Sequence, residues 1–289
     1  MSQIRVEHIK SRDERFSVRR LFSLNLPLVL SMIFILIPLV WALLTSLKSY
    51  DQITGVNVGI LPKSVTFSNY AHVWNESHFQ SYFGNSLIIA AISVVCIVIL
   101  SVCNGYALSR FNFRGKKAVM VIFLCTQLMP TVLFIIPLFV IFKDIGLINT
   151  RASVIIFYIV HNIAFNSIMM KSFVDGVPYE IEEAAHVDGC SRMRTLVHIV
   201  MPLLIPGIVA CVAMAFVNCW NEFLVAFSFI QKQSYFTIPV ALKYMIGEFN
   251  VDYGQLAAGS MIALAIPVVL FAYIQKYLVS GLSNGAVKG

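Results

Sequence analysis

Residues 77–109 read SHFQSYFGNSLIIAAISVVCIVILSVCNGYALS, a stretch without a single Asp, Glu, Lys or Arg. A hydrocarbon core of about 30 Å is crossed by roughly 20 apolar residues in helical form, and the interior of this stretch, 85–108, is long enough. With no water to bond the backbone in lipid, a helix satisfies every N–H and C=O within one segment. The stretch decides the fold because the chain repeats it. Residues 21–47, 118–142, 152–170, 195–221 and 253–275 are likewise free of those four residue types. Helices are expected near 24–47, 85–108, 118–142, 153–171, 203–230 and 257–279. The fold class is therefore all-α: a polytopic membrane protein with six transmembrane helices over 21–280. A tail precedes it at 1–20 and another follows at 281–289.

Composition agrees. Hydrophobic residues make up 58% of the chain and charged residues 12%, against about 25% charged in a typical globular domain, so a water-facing surface cannot be assembled. The net charge of +7 does not point to nucleic acid, since the basic residues form no face or stripe. They lie between the apolar runs. Of the 21 Lys and Arg residues, 15 fall in the N-terminal tail, the second and fourth connections and the C-terminal end, and 6 in the other connections. Positive charge is retained on the cytoplasmic side, which places both termini in the cytoplasm. The first run is too long for a signal peptide and no cleavage site follows it. Six cysteines show no metal or redox spacing, and five lie in apolar runs as small hydrophobes.

Between spans one and two, residues 48–84 are too polar to cross lipid and carry Trp74, Phe79, Tyr82 and Phe83, which suit an interfacial or re-entrant helix at headgroup depth. The longest cytoplasmic connection, 172–201, has its own order. Pro178 opens a helix, where its missing N–H is no loss. Glu180, Glu182 and Glu183 follow near the positive end of the helix dipole, and Gly189 permits the left-handed turn that ends it. A short acidic helix over about 178–188 results. Ser191 can cap a second over 192–200, and Pro202 marks the entry to span five. Ala184 and Ala185 let another backbone approach closely, while Glu182 and Glu183 can pair with basic groups on a partner. A solvated acidic loop is the plainer alternative.

The stretch Glu183-Ala184-Ala185-His186-Val187-Asp188-Gly189, with Ile199, Pro202, Leu203 and Pro206 downstream, resembles the EAA loop of binding-protein-dependent ABC importer permeases. The surrounding sequence is similar to the carbohydrate branch, that of the maltose-transporter permease subunits. Asn85-Ser86-Leu87, Gly105-Tyr106-Ala107-Leu108-Ser109-Arg110-Phe111, Gly146-Leu147-Ile148-Asn149-Thr150, Trp220-Asn221-Glu222-Phe223 and Gly285-Ala286-Val287-Lys288-Gly289 carry the likeness along nearly the whole chain. His186 and Cys190 depart from the usual pattern but leave the Glu, Ala-Ala and Asp-Gly positions intact. The resemblance implies a type I ABC importer transmembrane fold in a bacterial cytoplasmic (inner) membrane. It also implies a coupling role for Glu182, Glu183, Ala184, Ala185, Asp188, Gly189, Ile199 and Pro202 against an ATPase subunit, with the C-terminal tail, 285–289, reaching the ATPase dimer. The implied partners are a homologous second permease, two ATPase subunits, an extracytoplasmic substrate-binding protein and a carbohydrate substrate. The chain lacks a G-x-x-x-x-G-K-[ST] phosphate loop, so no cofactor is expected on it: ATP and Mg belong to the ATPase partners, and the chain is expected to be non-catalytic.

Polar residues inside spans are costly and face protein or a water-filled cavity. Asn218, Trp220, Asn221 and Glu222 on span five and His161, Asn162 and Asn166 on span four are candidates for a sugar pathway, or for hydrogen bonding between helices. In the last external loop, 231–256, Gly247, Phe249, Asn250 and Tyr253 are candidate contacts with the binding protein. A secondary, ion-coupled transporter is the chief rival, though no paired halves or ionisable relay are visible. A membrane-embedded hydrolase lacks any H-E-x-x-H or G-x-S-x-G motif.

Overall fold

The structure, a computed structural model, describes residues 25–55, 59–247 and 251–285, with side chains to 277. The basic N-terminal tail, Phe249 and Asn250, and residues 286–289 lie outside them. The described elements run α1 (Leu26–Ser46), α2 (Tyr50–Thr54), α3 (Ser68–Asn75), α4 (Phe79–Arg110), α5 (Lys116–Leu128), α6 (Val132–Asp144), α7 (Arg151–Asp175), α8 (Tyr179–Val187) and α9 (Arg192–Thr195). A π turn follows at Leu196–Val200, then α10 (Met201–Leu203), α11 (Ile205–Asn221), α12 (Leu224–Phe229), a 3-10 turn at Gln233–Tyr235, α13 (Ile238–Tyr244) and α14 (Tyr253–Gly285). No strand is formed among the described residues.

Four helices are long and apolar enough to cross a membrane unaided: α1, α4, α7 and α14. Two of the six expected spans are not single helices. The run 118–142 divides into α5 and α6, bent by 102°. Each has 13 residues, or about 20 Å at 1.5 Å per residue, short of the hydrocarbon thickness. Pro130 is the cause: it drives the preceding residue out of the helical region, and Met129 is extended at φ −83°, ψ 126°. The run 203–230 is interrupted twice. A 79° bend separates 192–203 from α11 at Leu204, two residues before Pro206, whose ring and missing N–H obstruct a continuous helix. Further on, Glu222 is extended at ψ 128° and divides α11 from α12. With each bent pair taken as one span the total is six.

The core is built on α4. Val94 and Ile97 are buried on it beside Val154 and Phe157 of α7 and Ala215 and Phe216 of α11. A second cluster, at the end of the bundle that carries α8, joins Val102 and Tyr106 to Met170, Val174, Leu196 and Leu204. α1 packs against α14 and leaves residues such as Phe34 and Ile35 exposed, as a lipid-facing span allows. Trp74 of α3 packs edge-on against Phe83 and Phe79 is wholly buried. The segment between α1 and α4 is thus folded onto the bundle.

Candidate functional site

The acidic helix expected over 178–188 forms as α8. Pro178 precedes it with Glu180 and Glu182 in its first turn, Gly189 takes φ +83° after it, and the chain turns back into α9. Its faces differ. Ala185 and Glu182 are buried, at 4% and 1% exposure, whereas Val187 is 87% and Tyr179 51% exposed. Glu183, Ala184 and Asp188 are exposed as well. Of the two glutamates expected to meet a partner, only Glu183 faces outward. Glu182 turns inward: its Oε1 accepts from Arg110 Nε at 2.6 Å and its Oε2 from the Tyr106 hydroxyl at 2.8 Å. Expectation and structure part here because burying Glu182 requires an arginine 72 residues away. Ala185 likewise packs inward, leaving Ala184 as the small outward residue. His186 Nδ1 lies 3.0 Å from the Cys190 carbonyl oxygen, so the departure from the usual motif serves to close the turn. Ile199 sits half-buried in the π turn, and exposed Pro202 follows in α10. A widened turn preceding a proline accommodates its ring.

The polar residues of spans four and five divide into two groups. Asn162 donates to the Tyr158 carbonyl and Asn166 to the Asn162 carbonyl, each at 2.9 Å, and Asn218 Nδ2 reaches Asn162 Oδ1 at 2.9 Å. These amides join α7 to α11. The buried Asn166 Oδ1 has no hydrogen-bond partner among the described residues. Trp220 is buried, its indole N–H donating to the Ala263 carbonyl at 3.1 Å, and does not present an aromatic face to a pathway. Glu222 accepts from the Tyr158 hydroxyl (2.9 Å) and from the backbone N–H groups of Val225 (2.8 Å) and Ala226 (3.2 Å). It caps α12 where the span breaks, satisfying donors that lipid would leave unpaired. What remains open is a stripe of Met214, Asn218 and Asn221, the i, i+4, i+7 positions of one face of α11. His161 stacks on Phe157 and lines a mostly apolar cavity of about 190 Å³ between α5, α6 and α7, with Thr126, Phe134 and Leu138.

In the loop expected to be external, Gly247 and Tyr253 are exposed, Tyr253 opening α14. Sequence reasoning passed over the clasp beside them. Asn85 Nδ2 donates to the carbonyls of Ser234 and Phe236 (2.9 and 3.0 Å) while Oδ1 accepts from Arg151 at 2.9 Å, and Arg151 lies over the Tyr235 ring. Ser86 Oγ accepts from the Ile238 N–H at 2.8 Å. Asn149, at φ +64°, accepts from the N–H groups of Gln231 and Lys232. The short stretches at 85–87 and 146–150 thus hold the loop between α12 and α13 in place. Polar residues opening apolar helices were the available signal. No group of three or more His, Cys, Asp or Glu able to hold a metal occurs among the described residues.

A six-span helical bundle with two bent spans and a short helix set between the fourth and fifth is the fold of ABC importer membrane subunits. It matches a chain from a bacterial ABC transporter involved in the import of the acidic polysaccharide alginate, with a TM-score of 0.79 over 91% of this chain and 99% of that one, at 23% identity. The chain belongs to the family described as binding-protein-dependent transport system inner membrane component, which matches residues 97–284. It is 31% identical to the sulfoquinovosyl glycerol transport system permease protein SmoH of Agrobacterium fabrum, over 88% of this chain and 89% of that one. It is 32% identical to the trehalose transport system permease protein SugB of Mycobacterium tuberculosis, over 88% and 93%. With the diacetylchitobiose uptake system permease protein DasC of Streptomyces coelicolor it shares 31% identity over 92% and 96%.

Proposed function

We propose that this chain is one half of the membrane pore of an ATP-driven importer that takes a sugar or oligosaccharide from an external substrate-binding protein and releases it into the cytoplasm by alternating access. The observation that carries the reading is the outward face of α8. Val187, Tyr179 and Ile181 are exposed apolar side chains flanked by Glu180, Glu183 and Asp188, on a loop that also exposes Met193 and Val197. Exposed apolar side chains set among charges on a short protruding helix are what a protein contact would cover. An ATPase subunit with a complementary basic cleft is the partner of that chemistry, and it supplies the ATP and Mg site that this chain's sequence lacks.

The sugar assignment rests on relatives named for glycosides and oligosaccharides. The Met214, Asn218 and Asn221 stripe offers amides to hydroxyl groups on the face left open for a homologous second permease. Two ATPase subunits complete the assembly, the binding protein meets the loop that includes Gly247 and Tyr253, and both termini are cytoplasmic. Ion-coupled transport finds no support in Glu222, whose carboxylate is engaged as a helix cap. Reconstitution of the complex with its binding protein in liposomes tests the proposal. Uptake of labelled sugar should require ATP inside the ATPase-side compartment and survive an uncoupler. Uptake that persists without the ATPase and stops with the uncoupler would mean a secondary transporter.

A further inference from the structure

The coupling helix is tied to the end of α4 by one cluster of polar side chains. Arg110, the last residue of α4, donates from Nε to Glu182 at 2.6 Å and from Nη2 to the Val177 carbonyl at 2.7 Å, and the Tyr179 ring lies 5.7 Å from its guanidinium. Tyr106, one turn back, occupies the second carboxylate oxygen. The Arg110 and Glu182 side chains are 12% and 2% exposed. Both oxygens of Glu182 are therefore taken by α4, and the arginine spans both the first turn of α8 and Val177, two residues before it. Such a fork fixes orientation as well as distance.

The same end of α4 is fastened to α7. The Ser109 hydroxyl donates to Asp175 Oδ1 and Lys171 to Asp175 Oδ2, each at 2.5 Å. At Gly105 the helices touch so closely that a Cβ would stand 2.8 Å from Met170 Cβ and the Lys171 backbone nitrogen. Other routes from α8 pass through joints. The way to α11 crosses the 79° bend at Leu204, and α5–α6 carries its own 102° bend.

We infer that the Arg110–Glu182–Tyr106 cluster is a strut that makes α8 turn as one body with α4 and α7, so that motion at the coupling helix enters the membrane through this pair while the bent spans flex. The three side chains are positioning residues. The inference rests on the docking of α8 proposed above. Charge and hydrogen bonds are spent inward by Glu182 and outward by Glu183, which divides attachment from docking between two adjacent glutamates.

The test uses the reconstituted importer with spin labels at Ser172 and Glu180, exposed sites at the end of α7 and the start of α8. Their separation should be the same in nucleotide-free and nucleotide-trapped states. A shift between the two states overturns the strut, and this measurement does not depend on any change to the cluster. Glu182→Ala should lower sugar moved per ATP hydrolysed by about 5- to 150-fold, the range of ordinary coupling between sites. Glu182→Gln, which keeps an acceptor for Arg110, should recover most of it. Equal transport per ATP in wild type and Glu182→Ala contradicts the inference. Crosslinking from Val187→Cys to the ATPase separates the two proposals: its absence removes docking, while its presence with a mobile label pair removes only the strut.

Discussion

Replacing Gly105 by alanine adds one methyl group and should destabilise the bundle. The added Cβ would lie 2.8 Å from Met170 Cβ, Met170 Cγ and the Lys171 backbone nitrogen. Carbon contacts are favourable near 3.5–4.0 Å, so α4 and α7 must separate by roughly 0.7–1.2 Å, and none of the crowding atoms is the free end of a side chain. Overpacking of this kind costs about 1–3 kcal/mol, and a middle value of about 2 kcal/mol is a factor of roughly 30 in the folded to unfolded ratio. Gly84→Ala on the same helix is the matched control. Its Cβ meets nothing within 4 Å, and helix propensity favours alanine by up to about 1 kcal/mol. The two substitutions should therefore act with opposite signs in reversible unfolding of the purified protein in mixed detergent micelles. Gly105→Ala as stable as Gly84→Ala would refute the close packing on which the α8 end of the bundle is built.

Three further outcomes follow from the geometry. Glu222→Ala leaves Tyr158 and two backbone N–H groups of α12 without their acceptor and should cost about 1–3 kcal/mol for each donor left buried and unpaired, with Glu222→Gln milder, as read by the same unfolding assay. Asn149→Gly keeps the left-handed backbone but loses the acceptor for Gln231 and Lys232, whereas Asn149→Val also adds roughly 1–2 kcal/mol of backbone strain; proteolytic cleavage within 231–237 should be faster for valine than for glycine. A membrane-impermeant maleimide should label Lys63→Cys from outside intact cells and Met193→Cys only after the membrane is opened, and the reverse pattern would invert the assigned orientation.

The number of membrane crossings was legible in the sequence because solvation by lipid acts on composition, and an apolar run announces itself without regard to neighbours. Its shape was not. The bends at Pro130 and Leu204 lie inside apolar runs, and only the local chemistry of proline, unrelated to hydropathy, marks them. Glu222 looked like a lone intramembrane charge because its partners are the N–H groups of a helix that exists only if the span breaks there. Glu182 and Glu183 were indistinguishable as adjacent acids on one helix, and their division into an inward and an outward residue depends on Arg110 and Tyr106 in a distant span. The quoted stretch from Gly105 to Phe111 was legible as a pattern. The structure supplies the physical reasons: close approach at 105, donors at 106, 109 and 110, and an aromatic ring at 111 beneath Arg192.

The claim on which the rest depends is that α8 conveys ATP hydrolysis on another subunit to this pore. Its most direct measurement is sugar uptake and ATP hydrolysis, side by side, in liposomes holding the assembled importer with Glu183→Lys and Gly189→Pro combined. The first change reverses the outward charge, and the second forbids the φ of +83° that ends the helix. The account predicts normal insertion and assembly, with hydrolysis no longer accompanied by uptake. Uptake per ATP equal to that of the unaltered protein would contradict it.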